Sequence, residues 1–264
     1  MKSHTRRSSL FSRCVLSALI AAACGLAYAS PTEVAPLAIS TSAMAILPDA
    51  DQESKLIDYN FEVGNFRDLK VQDNVNVVYL HTNDTIGHAY YSATQDFENA
   101  FIFTNNNGCL KIQVNTEDLG KPGLPILYVS SNNLEKVENY SDYNLRIESN
   151  IAADTFSASL IGNGTIVIAD LDATNLNAKI TAGMGAIIVS GVCTNADFKL
   201  TGAGSIEADK LKTQNVNCNI LGGGSISTYP LKTLTVKGIG STRILYRGTP
   251  HIKHRGGGKL IPLD

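Results

Sequence analysis

The second half of the chain repeats a pattern of apolar residues every 20 positions. Two columns carry this period: Leu160, Ile180, Leu200 and Ile220 form one, and Ala158, Ala178, Phe198 and Cys218 form the other. A third column holds Ile166, Ile206 and Ile226, with Ile187 displaced by one position. A fixed period of this length marks units that bury their apolar faces against their neighbours. The sequence therefore predicts a solenoid.

Apolar and polar residues alternate inside each repeat, as from Leu176 to Ile180 and from Val216 to Ile220. Period two predicts β-strands, because successive side chains of a strand point to opposite faces. Two strands of about five residues, at about 3.3 Å per residue, and two corners account for one repeat. The pattern predicts a parallel β-helix of about 20 residues per coil, with coils stacked about 4.8 Å apart.

Glycine pairs stand at the predicted corners, in segments 162–164, 183–185, 202–204 and 222–224. Glycine accepts positive φ and close backbone approach, so a structural role explains these pairs. A phosphate-binding role would need a following helix and the rest of a nucleotide-binding motif, and the sequence has neither. Two polar columns predict ladders of stacked side chains. They are Asn175, Asn195 and Asn215, and Asn177, Asp197 and Asn217.

Residues 1–29 have the pattern of a signal peptide: a basic start, an apolar run over 14–26, and Ala27-Tyr28-Ala29 as a cleavage site. The apolar run is too short to span a membrane. A lipoprotein site at Cys24 is an alternative to cleavage after Ala29. Residues 30–56 contain three prolines and are predicted to be a flexible leader. We expect an exported protein that is periplasmic, displayed on the cell surface or secreted, and not membrane-spanning.

Residues 57–264 are predicted to form one all-β domain, with an N-terminal β region over 57–133 and repeat coils over 134–264. Strand patterns occur over 66–79, 101–103, 110–114 and 126–129, and a turn is predicted at Asn105-Asn106-Asn107-Gly108. The N-terminal region lacks the 20-residue period. We expect it to form a β-rich cap that starts the β-helix and covers its open end. At the other end, Leu234 and Val236 are predicted to continue the two apolar columns.

Charge and cysteine content narrow the possible functions. The net charge of −2 excludes the basic footprint of a nucleic-acid-binding protein. Three cysteines, Cys109, Cys193 and Cys218, follow the predicted cleavage site, and an odd number argues against a disulfide framework. Cys218 belongs to an apolar column, so it is predicted to be a small buried group.

Few residues have the spacing of a catalytic or metal site. Asp170 and Asp172 share a strand face, but no other repeat places acids opposite them, and Asp197 fits a polar ladder. His251 and His254 are predicted to point to opposite faces of a strand, which separates them as metal ligands. We therefore predict no catalytic residue, no cofactor and no metal site. The C-terminal basic residues either protect an edge from pairing or contact an anionic polysaccharide: Arg243, Arg247, Lys253, Arg255 and Lys259.

The chain from about 57 to 264 resembles the auto-transporter adhesin head GIN domain family of secreted bacterial proteins. The shared elements are Phe66-x-x-Leu69-x-Val71, the serial Gly-x-Gly-x-Ile repeats, and Tyr246-x-Gly248-x-Pro250 before a final glycine-rich strand. The resemblance implies a right-handed β-helix, a periplasmic or cell-surface location and a role in adhesion. Asn139-Tyr140-Ser141 stands where the family has its first Gly-x-Gly, which leaves the geometry of that corner open.

These observations support a non-enzymatic binding module whose partner is a surface polysaccharide or another protein of the cell envelope. The alternative is a polysaccharide-active β-helix enzyme, either a lyase or a hydrolase. Such an enzyme requires carboxylates from different coils to converge, as an acid and base pair or around Ca²⁺. The sequence makes no prediction of oligomeric state.

Overall fold

The computed structural model describes residues 55–82 and 84–263. It is 67% strand, and its described part also contains one short 3-10 helix at Gln95–Phe97. The predicted signal peptide, Cys24 and the predicted leader up to residue 54 lie outside the described residues.

Sixteen strands follow one another along the chain. They are β1 (Ile57–Glu62), β2 (Asp68–Val71), β3 (Val77–Leu80), β4 (His88–Ala93), β5 (Phe101–Asn106), β6 (Cys109–Val114), β7 (Leu127–Ser130), β8 (Lys136–Asn139), β9 (Asn144–Ile161), β10 (Thr165–Ala182), β11 (Ala186–Gly202), β12 (Ser205–Gly222), β13 (Ser225–Ile239), β14 (Arg243–Tyr246), β15 (His251–Gly256) and β16 (Lys259–Pro262). Together they build a β-solenoid of about 6 turns with about 20 residues per turn, which confirms the predicted fold class.

Each long strand turns corners and pairs with the coils before and after it along three segments. The long ladder is the parallel stack of segments 155–160, 175–180, 195–200, 215–220, 233–238 and 251–256. The short ladder stacks 144–147, 165–168, 186–189, 205–208, 225–228, 243–246 and 259–262. The third side stacks 151–153, 171–173, 191–193 and 211–213. The expected two-strand coil omits this third side.

The predicted apolar columns form the core of the solenoid. Leu160, Ile180 and Leu200 pair in register and are fully buried. Ile187 pairs with both Ile166 and Ile206, so its displacement in sequence is absorbed at the corners. Burial of one such aliphatic side chain contributes about 1.5–3 kcal/mol. The stability of the core therefore depends on every coil placing its apolar residues in register with those of the neighbouring coils.

The predicted continuation of the two columns at Leu234 is wrong. Leu234 pairs with Val216 and Val236 with Cys218, so each lies one core position earlier than the sequence predicts, and Gly238 pairs with Ile220. The pairing register shifts on the third side of this coil, which is therefore shorter than the coil before it. Leu234 belongs to a separate buried column, and the leucine and isoleucine column ends at a glycine.

The N-terminal region caps the solenoid, as predicted. β4 pairs antiparallel with β1 and β7, and β5 and β6 form an antiparallel hairpin. Asn107 and Gly108 have φ values of 53° and 81° in the turn of this hairpin, where the sequence predicts one. The sequence analysis does not predict strands β1 and β4.

The first coil in sequence is not the first coil in the stack. β2 pairs with β6 on one side and β8 on the other, and β3 pairs with β7 and β9. The segment β2–β3 therefore lies between a coil that follows it in the chain and the long repeats. All four of these pairings are parallel.

The corner at Asn139 closes through side-chain hydrogen bonds. The Asn139 Oδ1 atom accepts the backbone N–H of Ser141 at 3.0 Å, and its Nδ2 atom donates to the Tyr143 carbonyl at 3.0 Å. Asn139 is 1% exposed, so these bonds satisfy a buried amide. A buried asparagine thus does at this corner what glycine pairs do in the later coils.

Candidate binding face

The outward side of the long ladder is a row-by-row arrangement of polar residues, here called the polar face. Its members alternate with the core columns, and from β9 to β15 they are Thr155, Ser157, Ser159, Asn175, Asn177, Lys179, Asn195, Asp197, Lys199, Asn215, Asn217, Asn219, Thr233, Thr235, Lys237, His251, Lys253 and Arg255. Parallel pairing places equivalent residues of successive coils about 4.8 Å apart. The polar face therefore repeats the same chemistry along the solenoid axis.

One row of the polar face is a continuous amide ladder. The Asn215 Nδ2 atom donates to Asn195 Oδ1 at 3.0 Å, and the Asn195 Nδ2 atom donates to Asn175 Oδ1 at 3.2 Å. Thr233 and Thr155 bond to the two ends of the ladder, at 2.9 and 3.5 Å. A side-chain amide has two donors and two acceptor lone pairs, so each rung keeps capacity for a ligand. This ladder confirms the column read from the sequence.

A shallow groove of about 460 Å³ follows the amide ladder and the neighbouring row. Asp197 lies in this groove and accepts hydrogen bonds from the side chains of Asn217 and Asn219, both at 3.2 Å. The carboxylate is thus a member of a ladder, as the sequence indicates. Apart from Leu176, Ala196 and Val216, the groove is lined by amides, hydroxyls, one carboxylate and Lys237. These polar groups suit a hydroxyl-rich ligand.

Cations border the polar face on the side toward the glycine corner. Lys179 pairs in register with Lys199, and Lys237 pairs with Arg255. None of these four residues is in a salt bridge within the described part of the chain. Of the other basic residues singled out from the sequence, Arg247 contacts Asp209 at 3.1 Å.

Nearer the cap, the same rows contain compensated charges. The Glu138 carboxylate contacts Lys136 at 2.7 Å and Lys70 at 3.8 Å. Burial works to raise the pKa of Glu138, but the hydrogen bond from Lys136 and the charges of both lysines hold that pKa below its ordinary value. The unbalanced positive charge of the polar face therefore belongs to the coils beyond β9.

The acids considered for catalysis do not converge. Asp172 is in register with Ala152 and Val192, and Asp170 is in register with Asn150. The Asp170 carboxylate accepts a hydrogen bond from the Asn150 amide at 2.8 Å. Neither residue pairs with an acidic residue of an adjoining coil, so the geometry of a general acid and base pair is missing at these residues.

The two C-terminal histidines lie on opposite faces of β15. His251 is in register with the outward Thr233, and His254 is in register with the inward Val236. The His254 ring contacts the Gly257 carbonyl through Nε2 at 3.2 Å. Within residues 55–82 and 84–263, no group of three or more His, Cys, Asp or Glu side chains could hold a metal ion.

The cysteines of the described chain are free thiols at separate positions. Burial raises the pKa of Cys218 to about 12, and burial also raises the pKa of Cys193. The Cys193 thiol donates to the Asn195 carbonyl at 3.1 Å. A buried thiol with a raised pKa is a poor nucleophile, which favours a packing role for both residues.

Sequence reasoning missed three exposed apolar residues at the glycine corner, between the long and short ladders. Met184, Leu221 and Ile239 are 75%, 57% and 74% exposed. Leu221 and Ile239 pair in register, and Met184 is the tip residue between Gly183 and Gly185. The signal in the sequence was a large apolar residue within or beside a glycine turn. We call these three residues the corner ridge.

The family of the chain follows from its sequence. A family model described as "Putative auto-transporter adhesin, head GIN domain" matches residues 65–250. The chain belongs to this family. The match contains the whole set of long strands β9–β13 and ends at Pro250, in the closing motif on which the resemblance rests. No curated protein matches the chain.

Solved structures of proteins named putative adhesins share this fold. A putative adhesin from Bacteroides fragilis is 18% identical, with a TM-score of 0.68 over 79% of this chain and 97% of its own. Putative adhesins from Parabacteroides distasonis and Parabacteroides merdae are 17% and 19% identical, with TM-scores of 0.65 and 0.62. Each covers 80% of this chain and 98% of its own. In the described residues, no helix is long and apolar enough to cross a membrane.

Proposed function

We propose that this head GIN protein is an exported, non-enzymatic adhesion module that binds a surface polysaccharide through its polar face. Membership of an adhesin family supports a role at the cell surface. The periplasm is the other compartment consistent with export. The proposed chain begins at Ser30, has a leader up to residue 56 and has its folded domain over 57–264.

The amide ladder is the observation that carries this proposal. Asn175, Asn195 and Asn215 hold one another's side chains in fixed orientations, so their remaining donors and acceptors are ordered before a ligand arrives. Preordered groups lose less conformational entropy on binding. Repetition about every 4.8 Å matches a ligand that itself repeats along its length. A polysaccharide supplies hydroxyls in such a repeat.

A polysaccharide-active enzyme is the competing function. The register of Asp170 and Asp172 and the ladder role of Asp197 count against it. The two functions differ in what they do to the ligand: an adhesin binds a glycan and releases it unchanged, whereas a lyase or hydrolase shortens it.

A glycan panel scored for both binding and cleavage tests the proposal. We expect binding without cleavage, and at least a tenfold loss of affinity in Asn195→Ala/Asn215→Ala. Ser205→Ala/Ser225→Ala, on the short ladder, is the matched control and should bind normally. Cleavage abolished by one Asp or Glu substitution would establish the enzyme instead. Binding of an envelope protein and of no glycan would replace the proposed ligand.

Intact-mass measurement of the protein from its native compartment tests the proposed export. A mass that starts at Ser30 supports cleavage after Ala29, whereas a lipid on Cys24 or a retained Met1 contradicts it. Limited proteolysis tests the proposed domain bounds, because a leader is cut before a folded domain. Resistant fragments should start near residue 57.

A further inference from the structure

We propose that the corner ridge docks the protein on the surface of a bilayer with anionic headgroups, without spanning it. The three ridge residues expose more than half of their surface each, and large exposed apolar groups that gather at one corner mark an interaction site. Leu221 and Ile239 are neighbours in adjacent coils. Met184 lies at the same corner two coils nearer the cap, with Thr201 and Ala203 at the corner between.

The corner changes character at Met184. In the stack, the tip residues before it are polar: Asn74, Asp142 and Asn163 hydrogen-bond to the next corner through their side-chain oxygens. From Met184 onward the tips are Met184, Ala203, Gly223 and Ser241, with Leu221 and Ile239 beside them. Met184, Leu221 and Ile239 are more exposed than Tyr140 and Tyr143, which flank the earlier tip Asp142. A packing role does not explain the three ridge residues, because their side chains point away from the core.

Cations flank the ridge on both sides. Lys179, Lys199, Lys237 and Arg255 lie on the long-ladder side, with Lys237 on the same strand face as Ile239. Arg243 and Lys259 pair in register on the short-ladder side, directly after the corner. The acids on these two ladders are Asp197, farther from the corner than Lys199, and Glu207. From residue 205 to residue 263 the chain has nine Lys or Arg and two acids, whereas its total net charge is −2.

An apolar edge between two rows of cations matches the interface of an anionic bilayer. Apolar side chains enter the boundary between headgroups and acyl chains, and lysine and arginine remain at headgroup level. Attraction to anionic lipid adds to the apolar term and is screened by salt. A neutral apolar protein partner would leave the six cations unmatched, so charge complementarity favours the lipid surface.

The chain contains no tryptophan, so one introduced tryptophan reports its own surroundings. We would place it at Met184 on the ridge and, as a matched control, at Val192 on the third side, which is 48% exposed. The probe is vesicles of phosphatidylglycerol and phosphatidylcholine. Met184→Trp should show a blue-shifted emission and quenching by brominated lipid, and Val192→Trp should show neither.

Vesicle sedimentation measures the affinity. Met184→Ser/Leu221→Ser/Ile239→Ser should bind phosphatidylglycerol vesicles at least tenfold more weakly, and so should Lys237→Gln/Arg255→Gln. Val192→Ser/Leu231→Ser and Lys212→Gln/Lys232→Gln are the controls and should bind as the wild type does. Each variant is compared with the wild type as the full chain with the same N-terminus, which intact-mass measurement verifies. Circular dichroism confirms that each is folded.

Three results would overturn the proposal. The first is a wild-type protein that does not bind phosphatidylglycerol vesicles at low salt, as expected if another protein covers the ridge. The second is equal binding to pure phosphatidylcholine vesicles with no response to salt. The third is an equal loss in the ridge and control variants. The amide-ladder variants keep all three ridge residues, and circular dichroism tests whether they are folded, so loss of glycan binding and loss of vesicle binding are separable.

Discussion

The Asp142 carboxylate ties Asn163 of the next coil to the glycine corner through two hydrogen bonds. Its Oδ1 atom accepts the backbone N–H of Asn163 at 3.0 Å and the side-chain amide at 3.1 Å. Asn163 Oδ1 in turn accepts the backbone N–H of Met184 at 3.1 Å. Short polar side chains thus link three successive corners, each satisfying a backbone donor that no strand pairing reaches.

Asp142→Ala should destabilise the protein by about 1 kcal/mol, because it leaves an Asn163 backbone donor without its carboxylate. The urea midpoint would fall with an unchanged m-value. Asp84→Ala, at another exposed aspartate, is the control and should leave the midpoint in place. Equal midpoints for both variants would show that the corner bonds contribute nothing.

Leu200→Ala should destabilise by about 2–5 kcal/mol, because it removes a fully buried side chain and leaves a cavity between two coils. Leu221→Ala deletes the same atoms at a position that is 57% exposed, so it should change stability by about 0.5 kcal/mol or less. Chemical denaturation of the two variants compares them directly. A similar loss in both would contradict the assignment of the apolar columns to the interior.

Gly183→Ala tests the close approach of coils at the glycine corner. Gly183 has a φ of 97°, and a Cβ atom there would overlap the Gly162 carbonyl. The expected loss is about 3 kcal/mol or more, from left-handed strain and overpacking together. Gly120→Ala is the control. Gly120 also has a left-handed φ, of 78°, but its new Cβ would have no heavy atom within 4 Å. Its loss of stability should therefore be about 1–2 kcal/mol, from strain alone. Thermal or urea unfolding measures both variants. Equal losses of stability would show that the overlap with the Gly162 carbonyl does not matter.

Thiol labelling should distinguish the cysteines. Cys109 is partly exposed and should react first with a thiol reagent at pH 8, whereas Cys218 is 0% exposed with its pKa raised to about 12. Cys218 should react only after unfolding in urea. Peptide mapping by mass spectrometry assigns each label to its residue. Rapid labelling of Cys218 in the native protein would contradict its burial.

The same buried thiol predicts lower stability at high pH. An unfolded thiol ionises near 9.0, and folded Cys218 ionises near 12. Between these values the unfolded state binds fewer protons, so rising pH favours unfolding. The stability that the folded state gains by keeping the Cys218 thiol neutral is fully present below pH 9.0 and is lost as the pH rises toward its folded pKa of about 12. Cys218→Ala should show a smaller fall in urea midpoint between pH 8 and pH 10.5 than the wild type, and an identical fall would contradict the prediction.

The sequence predicts those parts of the fold that repeat. Leu160, Ile180 and Leu200 could be aligned from their period, because each coil supplies the same core position. Leu234 was placed in the wrong column because its coil is shortened on the third side, where its pairing with the coil before it shifts register. The position of β2–β3 within the stack was also beyond prediction, since it depends on long-range pairing of strands that show no repeat.

The candidate binding face, like the fold, could be predicted only where its residues repeat with the period of the core. The amide ladder was visible because Asn175, Asn195 and Asn215 share the period of the core. The corner ridge was not, because Met184 stands in a glycine turn and Leu221 extends the alternation of a strand by one outward position. An apolar residue beside a corner looks the same in sequence whether it packs inward or remains exposed. Its exposure becomes evident only when the coils are stacked.

The placement of β2–β3 inside the stack bears on the order in which the coils can assemble. This segment precedes both of its neighbours in the chain, since β3 ends at Leu80, β7 at Ser130 and β9 at Ile161, so the order of coils in the stack is not their order in the sequence. A chain that begins after β3 would lack an interior layer and would have to join β6–β7 directly to β8–β9. The C-terminal coils, in contrast, can be added one after another. The solenoid therefore extends in two directions from β2–β3, toward the cap through β6–β7 and away from it through β8–β9 and the later coils.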